Sequence, residues 1–311
     1  MAKESNSRVA SADIAGGEHL DHRAARSRRL YRTFHDRVAI VTGGTSGIGH
    51  ALCETLGALG ATVVVAGRNI ERAVEIARLI EERGGKARAE QVDVTVEEGV
   101  TRLIEHTVAL YGRVDYLFNN AGVGVMGETI NLESAHWRTV IDVNLWGVIF
   151  GSSVAYRAMA RHGSGHIVNV ASGAGLFPIG FTVPYSAAKH AVVALSVAMR
   201  AEAAAYGVKV SVACPGSVRT NVSRTSEVVG ASSEIVEQFI EDGMPPSEAA
   251  RHILFGVARD RTRIVFPASI RLMWWLSRMS PALWNAMCAL HIREVRRRVA
   301  GTEPKKAAAA A

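Results

Sequence analysis

Cysteine is scarce in this chain of 311 residues, and Cys53, Cys214 and Cys288 lie far apart in the sequence. None belongs to a CxxC pair or to a cluster of cysteine and histidine, so the pattern excludes a disulfide framework and predicts no metal site. We therefore expect a reducing, cytoplasmic compartment. The hydrophobic fraction of 48% still allows a sizeable core.

Long apolar runs are lacking at both ends of the chain. Residues 1–36 contain no apolar segment of about 7–15 residues, which argues against a secretory signal. The apolar run between Arg278 and Arg293 has only 14 residues, too few to span a bilayer. We predict that residues 1–36 form a disordered or weakly structured extension with a short basic helix at 23–31, and that residues 301–311 form a disordered tail.

The excess of basic side chains is confined to the two ends. Residues 1–37 carry 8 basic and 5 acidic side chains, and residues 251–311 carry 12 and 3, whereas the whole chain has a net charge of +7. The central region is therefore acidic. No zinc finger, helix-turn-helix or aromatic-interleaved basic sheet accompanies these ends, so we expect no nucleic-acid partner.

A glycine-rich turn follows the first apolar run. Residues 37–42, RVAIVT, predict a buried parallel strand, and the helical pattern of residues 50–59 follows GGTSGIG. A strand, a glycine-rich turn and a helix form a cradle for phosphate, because glycines admit the ligand close to free backbone N–H groups. The predicted contacts are Gly43, Thr45, Ser46, Gly47, Ile48 and Gly49.

The next strands indicate which dinucleotide is bound. The strand at residues 62–66 ends in Gly67-Arg68, where dinucleotide folds that take NAD usually place an acid and where arginine suits a 2′-phosphate. Arg68 therefore favours NADP(H) over NAD(H), although an arginine that only solvates a loop is the alternative. Asp93, beside Val94 at the end of a third strand, would reach the adenine. Alternation of strands with helices at 69–83 and 97–111 predicts a doubly wound parallel sheet in a single domain.

Tyr185 and Lys189 are four residues apart in a helical pattern, so both side chains share one face. A cation about 4 Å from the phenol would contribute roughly 4 kcal/mol and lower the tyrosine pKa from about 10 towards 7, suited to a general acid or base. Ser172 follows the apolar run at residues 166–170. The alternative is a surface tyrosine and lysine on an ordinary helix.

Seven motifs in order give the chain a family resemblance. They are TGGTSGIG at 42–49, VDV at 92–94, NNAG at 119–122, Asn144 in DVNLWG, Ser172, YSAAK at 185–189 and PG at 215–216. Together they resemble the short-chain dehydrogenases/reductases over about residues 37–266.

The resemblance implies a Rossmann-type, seven-stranded parallel sheet flanked by helices. It also implies that Tyr185 is the catalytic acid/base, that Lys189 holds the nicotinamide ribose, that Ser172 binds the substrate oxygen and that Asn144 anchors a water in a proton relay. Further cofactor contacts carried over from the family are Asn120, Ala121, Gly122, Pro215, Gly216, Val218 and Thr220.

The substrate pocket and the oligomer contacts are predicted around these motifs. A helix over 137–159 and the Tyr185 helix would form a homodimer or homotetramer, as is usual in the family. The segment 217–246 is longer than an ordinary connection and is interpreted as a lid. Apolar candidates for the pocket are Val123, Met126, Phe177, Phe181 and Thr182, with core packing as the alternative for each.

Residues 268–300, which follow a catalytic domain at 37–267, are rich in tryptophan, methionine and arginine. Pro281 divides them, which predicts an amphipathic helical hairpin. Three interpretations stay open: peripheral contact with a membrane or lipid substrate, an oligomer or lid surface, and additional core.

We conclude from the sequence that the chain transfers a hydride between NADP(H) and a hydrophobic ketone or secondary alcohol. The alternative is a catalytically silent NADP(H)-binding regulatory or scaffold protein.

Overall fold

The central sheet contains seven parallel strands in the order β3-β2-β1-β4-β6-β7-β9. The computed structural model describes residues 25–220, 226–230 and 243–302, with side chains through 297. Predictions for residues 1–24, for 303–311 and for the lid segments 221–225 and 231–242 lie outside this range. The sheet strands are Val38–Thr42 (β1), Thr62–Gly67 (β2), Lys86–Gln91 (β3), Tyr116–Asn119 (β4), Gly165–Val170 (β6), Val208–Pro215 (β7) and Arg263–Phe266 (β9).

A two-stranded parallel ladder lies outside the main sheet. It pairs Val125–Gly127 (β5) with Glu227–Val229 (β8), so the loop after β4 is joined to the segment after β7. β1 is buried along its whole length, as its sequence VAIVT predicts for a central parallel strand covered on both faces.

Helices connect the strands. After a helix at residues 25–34 (α1) they are Gly47–Ala58 (α2), Ile70–Glu82 (α3), Glu97–Tyr111 (α4), Ser134–Ile141 (α5), Gly147–His162 (α6), Val183–Ala203 (α7), Pro246–Ala258 (α8), Ala268–Met279 (α9) and Pro281–Thr302 (α10). Asn69 caps α3 by accepting a hydrogen bond from the Arg72 N–H. Gly112 ends α4 in the left-handed conformation that favours glycine. The predicted Rossmann-type architecture is confirmed.

Apolar side chains pack against both faces of the sheet. One cluster joins β1 and β2 to α2, α3 and α8, and a second joins the opposite face to α4 and α6. The layers therefore follow the predicted alternation, and the carboxyl ends of β1, β4, β6 and β7 open on one side of the sheet.

The α1 helix begins the packed structure earlier than the predicted boundary at residue 37. Phe34 is fully buried and Leu30 is 8% exposed, and both belong to the first cluster. The Tyr116 hydroxyl donates a hydrogen bond to the Thr33 carbonyl, 3.1 Å away. The basic helix expected at 23–31 thus occupies residues 25–34 of the described chain and contributes to the core.

The long helix predicted at 137–159 contains an irregular turn. Between α5 and α6, residues Asp142–Trp146 form a π-helical turn that includes the fully buried Asn144. By length and composition, Ser134–His162 is the one helix among the described residues that could cross a membrane, but 44% of its most apolar window is buried inside the protein.

The predicted C-terminal hairpin is formed by α9 and α10, and it packs on the loop between β6 and α7. The Trp284 ring lies edge-on to Phe177 with ring centroids 4.8 Å apart, and its Nε1 donates to the Pro178 carbonyl at 3.2 Å. Arg296 donates two hydrogen bonds to the carboxylate of Glu128, at 2.8 and 2.6 Å. The hairpin therefore contacts both the loop after β6 and the loop after β5, at the carboxyl ends of the central strands.

Candidate active site

A cleft with a cavity volume of about 310 Å³ opens at the carboxyl ends of the central strands. It extends from the glycine-rich turn after β1 to the first turn of α7. Its lining includes most of the predicted site residues: Gly43, Ser46, Gly47, Ile48, Asn120, Ala121, Gly122, Ser172, Tyr185, Lys189, Pro215, Gly216, Val218 and Thr220. The topology brings these separate motifs together because parallel strands end at the same edge of the sheet.

The glycine-rich turn has the geometry of an anion cradle. Gly43 and Gly47 have φ values of 62° and 52°, which strongly favour glycine. A Cβ on Gly43 would lie 2.8 Å from the Cα of Ala121, so any side chain there would collide with the next loop. Ser46 precedes α2 without a side-chain capping hydrogen bond, which leaves the first N–H groups of the helix for a ligand. These features fit the pyrophosphate of a dinucleotide.

Thr45 and Gly49 belong to the same motif but do not line the cleft. A Cβ on Gly49 would lie 2.1 Å from the Gly43 carbonyl oxygen, so this glycine allows the turn and the helix to pack closely. The Thr45 methyl group lies against Gly67, the last residue of β2. Both residues shape the turn from behind.

Arg68, Asp93 and Val94 also lie outside the cleft lining. Arg68 is exposed at the end of β2, and its guanidinium has no hydrogen bond or ion pair within the described part of the chain. Asp93 accepts hydrogen bonds from the backbone N–H and the hydroxyl of Thr95, at 2.9 and 2.8 Å. Val94 is 8% exposed and packs against Gly147.

The Asn-Asn-Ala-Gly loop is fixed from below by side-chain amides. The Asn120 amide donates to the carbonyls of Thr42 and Gly43, at 3.1 and 3.2 Å. Asn144 holds Val123, the residue that follows this loop. Its Nδ2 donates to the Val123 carbonyl at 2.7 Å, and its Oδ1 accepts from the Val123 N–H at 3.0 Å. Asn144 is fully buried and supports the cleft from behind its wall.

A buried polar network underlies the same loop, and sequence reasoning did not find it. The Asn119 amide donates to Ser152 and Asn169, at 3.1 and 2.8 Å, and Asn169 donates to Ser196 at 2.9 Å. Each of these residues comes from a different element: β4, α6, β6 and α7. A polar residue on an apolar strand, such as Asn169 in HIVNV, was the available signal.

Ser172, Tyr185 and Lys189 meet at the far end of the cleft. Ser172 is hydrogen-bonded to Tyr185 and accepts from the Ala174 N–H at 3.2 Å. Lys189 is 3% exposed, and its Nζ donates to the Val170 carbonyl at 2.9 Å. The same nitrogen lies 5.5 Å from the centroid of the Tyr185 ring. A hydroxyl, a phenol and an amine therefore share one wall.

The prediction that Lys189 lowers the Tyr185 pKa is wrong in this structure. Burial raises the pKa of Tyr185, while the hydrogen bond to Ser172 acts in the opposite direction. Lys189 does not contribute to this shift; its Nζ donates to the Val170 carbonyl, and desolvation lowers the pKa of Lys189 to about 8. Tyr185 is thus a protonated phenol at neutral pH, which suits a proton donor.

The apolar wall near Tyr185 differs from the predicted substrate pocket. Met126 and Thr182 line the cleft, whereas Val123, Phe177 and Phe181 do not. Phe177 is 3% exposed and packs against Trp284, so the alternative of core packing holds for it. Lining residues that sequence reasoning missed are Gly124, Val125, Val170, Ala171, Ala174 and Ile179, whereas Ser217 and Ser226 belong to the segment predicted as a lid. They lie mostly in loops without periodic pattern, so nothing in the sequence distinguished them.

Residues 37–228 match the family model described as short chain dehydrogenase. The chain belongs to the short-chain dehydrogenase/reductase family. It is accordingly an oxidoreductase of a family that acts on CH–OH and C=O groups.

Individual members of the family align over most of the catalytic domain. A cyclohexanol dehydrogenase of Acinetobacter sp. (strain SE19) is 37% identical over 60% of this chain and 75% of its own length. A 3beta-hydroxysteroid dehydrogenase of Mediterraneibacter gnavus is 36% identical over 62% of this chain and 70% of its own. The crystal structure of a Burkholderia phymatum short-chain dehydrogenase/reductase in complex with NAD superimposes with a TM-score of 0.75 at 26% identity, covering 80% of this chain and 95% of that one.

Proposed function

We propose that this short-chain dehydrogenase/reductase transfers a hydride between NADP(H) and a hydrophobic ketone or secondary alcohol. The observation that supports this most directly is the meeting of Ser172, Tyr185 and Lys189 at one end of a cleft whose other end is the glycine-rich turn. The alternative of a catalytically silent binding protein has no observation in its favour.

In this proposal Tyr185 donates its phenolic proton to the substrate oxygen. The nicotinamide cofactor supplies the hydride when bound, so proton and hydride together convert C=O to CH–OH. Ser172 orients the oxygen by a hydrogen bond, and Lys189, whose Nζ lies 5.5 Å from the centroid of the Tyr185 ring, would hold the nicotinamide ribose. Asn144 would anchor a relay water, as the family resemblance implies, and two hydrogen bonds fix its amide to Val123 behind the cleft wall. In the oxidation direction the proton returns to Tyr185.

The preference for NADP(H) is inferred from the end of β2. Gly67 provides no carboxylate for a ribose 2′-hydroxyl, and a Cβ there would lie 3.0 Å from the Thr45 methyl group. The exposed guanidinium of Arg68 is available for a 2′-phosphate. Asp93 and Val94 follow the third strand and, from that position, would border the adenine.

The substrate is proposed to be hydrophobic because the cleft beside Tyr185 is lined by apolar side chains. Val125, Met126, Ala174 and Ile179 face it, with Thr182 as a polar neighbour. The names of the two relatives, a cyclohexanol and a 3beta-hydroxysteroid dehydrogenase, denote activity on cyclic secondary alcohols. We therefore expect a bulky or cyclic alcohol and its ketone.

We further propose a cytoplasmic homodimer or homotetramer formed through the α5–α6 region and α7. Trp146 supports this assignment because it is 47% exposed, although it stacks on Phe150, and a free aromatic surface of this kind is typical of an interface. Peripheral contact with a membrane is assigned to the α9–α10 hairpin.

The catalytic proposal is tested by Tyr185→Phe, which removes the proton donor and keeps the ring. We expect kcat to fall about 10²- to 10⁴-fold in a panel of cyclic ketones followed by NADPH absorbance. Binding of NADPH, measured by fluorescence titration, should stay within a few-fold. Tyr206→Phe at an exposed position is the matched control. Turnover close to the parent rate in Tyr185→Phe would exclude this phenol as the acid.

The cofactor proposal is tested separately by Arg68→Ala. Loss of a charge-assisted contact of about 1.5–3 kcal/mol should weaken NADPH binding about 10- to 100-fold and leave NADH binding unchanged. Arg102→Ala, which removes an exposed arginine from α4, controls for net charge. Tighter binding of NADH than of NADPH to the parent protein would refute the assignment.

A further inference from the structure

A second groove, of about 710 Å³, lies between α1, α8 and the start of α9, away from the active-site cleft. Its most prominent feature is a set of five arginines: Arg26, Arg251, Arg259, Arg261 and Arg271. Glu248 is the one acidic residue among the lining residues that the structure describes, and this carboxylate lies 3.7 Å from His252. The groove is therefore strongly electropositive.

The arginines stand over an apolar floor. Leu30 and Phe266 are buried beneath the groove, and the guanidiniums of Arg26 and Arg259 lie 5.6 and 5.9 Å from the ring centroid of Phe255. Within the described residues, no carboxylate forms an ion pair with any of the five. Guanidiniums beside apolar surface are weakly hydrated and bind phosphate oxygens in pairs.

An exposed apolar face adjoins the groove on the α9–α10 hairpin. Arg271 lines the groove, and the next residue, Leu272, is 58% exposed. Half of the large exposed apolar side chains in the described chain lie on these two helices: Leu272, Met273, Trp275, Leu276, Met279, Leu283, Met287 and Leu290. Trp275 and Met279 are 58% and 65% exposed. A contiguous exposed apolar surface of this kind is typical of an interaction site.

Further arginines accompany this apolar face. Arg278 and Arg293 are exposed, and neither forms an ion pair with a carboxylate in the described part of the hairpin. The opposite face of the hairpin is occupied, because Ile270, Trp274 and Trp284 pack against the protein. Among the described residues, the hairpin thus packs one face on the loop that carries the active site and exposes the apolar side chains of the other.

We propose that this surface docks the protein on a bilayer of anionic phospholipid. Arginines of the groove bind the lipid phosphates, and the exposed leucine, methionine and tryptophan side chains enter the boundary between headgroups and acyl chains. The proposal extends the peripheral contact assigned above, and it does not depend on the hydride-transfer chemistry.

Charge complementarity decides for a bilayer over a second copy of the chain. A symmetric dimer through this surface would place the same arginines on both sides, with few carboxylates to offset them. A nucleic acid would satisfy the arginines but leave the apolar face in water. An anionic bilayer matches both components of the surface.

The test is co-sedimentation of the full-length protein with vesicles of phosphatidylcholine alone or with 30% phosphatidylglycerol added. We expect binding to the anionic vesicles and little to the neutral ones. Arg251→Gln, Arg261→Gln and Arg271→Gln combined should weaken partitioning on the order of 100-fold, since each arginine near an anionic surface contributes about 1 kcal/mol. Arg72→Gln, Arg78→Gln and Arg102→Gln combined, at exposed positions on α3 and α4, are the charge-matched control, with thermal unfolding to confirm folding.

The apolar face is tested by Trp275→Ser, at an exposed position where folding does not depend on the side chain. Partitioning should fall about tenfold or more. Equal binding to neutral and anionic vesicles, equal loss in the control variant, or binding of inorganic phosphate without vesicle binding would each overturn the proposal. Concentration-dependent dimerisation abolished by Trp275→Ser, without vesicle binding, would assign the surface to a second copy instead. A failed ketone assay would leave these outcomes unaffected.

Discussion

Trp284→Ala should loosen the loop that carries the active-site residues, although this tryptophan lies outside the cleft. The indole packs edge-on to Phe177, with ring centroids 4.8 Å apart, and donates a hydrogen bond of 3.2 Å to the Pro178 carbonyl. An aromatic pair contributes about 0.5–1.5 kcal/mol, and a hydrogen bond contributes about 0.5–1.5 kcal/mol. We therefore expect the free energy of local opening of residues 176–181 to fall by roughly 1–3 kcal/mol.

Native-state hydrogen exchange measures this opening directly, peptide by peptide. Trp284→Phe keeps an aromatic ring against Phe177 and removes only the indole donor. It should therefore lower the free energy of local opening by about half as much as Trp284→Ala does. Trp275→Ala, on the exposed face of the same hairpin, is the matched control and should leave the exchange of residues 176–181 unchanged. KM for a hydrophobic ketone should rise with loop opening because Ile179 lines the cleft. Identical exchange in Trp284→Ala and the parent protein would refute this role of the hairpin.

Two further predictions concern the stability of the fold. Phe34→Ala removes a fully buried side chain and should lower the free energy of unfolding, measured with denaturant, by about 3–5 kcal/mol. Tyr31→Ala, on the exposed side of α1, should lower it by about 0.5 kcal/mol. Equal losses in the two variants would place α1 outside the cooperative core. Burial lowers the pKa of His166 to about 3 from 6.5, so the unfolded chain takes up the proton first. The contribution of the neutral His166 to stability should be fully present above about pH 6.5, and below it the free energy of unfolding should fall by about 1.4 kcal/mol per pH unit. His166→Gln should reduce this slope. Equal slopes in the variant and the parent protein would contradict the prediction.

The repeating part of the fold could be predicted because it depends on local pattern. The strand VAIVT before a glycine-rich turn, and helix α4 at Glu97–Tyr111, follow from apolar periodicity and flanking glycines. The meeting of Ser172, Tyr185 and Lys189 follows from the same reasoning, since strand ends and helix starts share one edge of a parallel sheet. Their roles in catalysis stay predictions.

The remaining features depend on contacts between distant segments. Leu30 and Phe34 gave no periodic signal strong enough to place α1 in the core, because their partners lie in β1 and α8. Spacing placed Lys189 near Tyr185, but it could not show that the ammonium lies against the ring and bonds to Val170. The direction of the Tyr185 pKa shift was therefore wrong. Phe177 was assigned to the pocket because its partner, Trp284, is more than one hundred residues away.

The π-helical turn at Asp142–Trp146 adds one residue to a single turn of a long helix. Each residue of an α-helix turns the chain by about 100°, so an added residue rotates everything that follows by about that angle. α5 can therefore pack on α7. α6, which continues the same long helix, places Ser152 and Ala155 against the sheet and α4. Deletion of one residue here would restore a regular helix but turn one of its halves away from its neighbours. The extra residue thus lets a single helix serve two interfaces of different orientation.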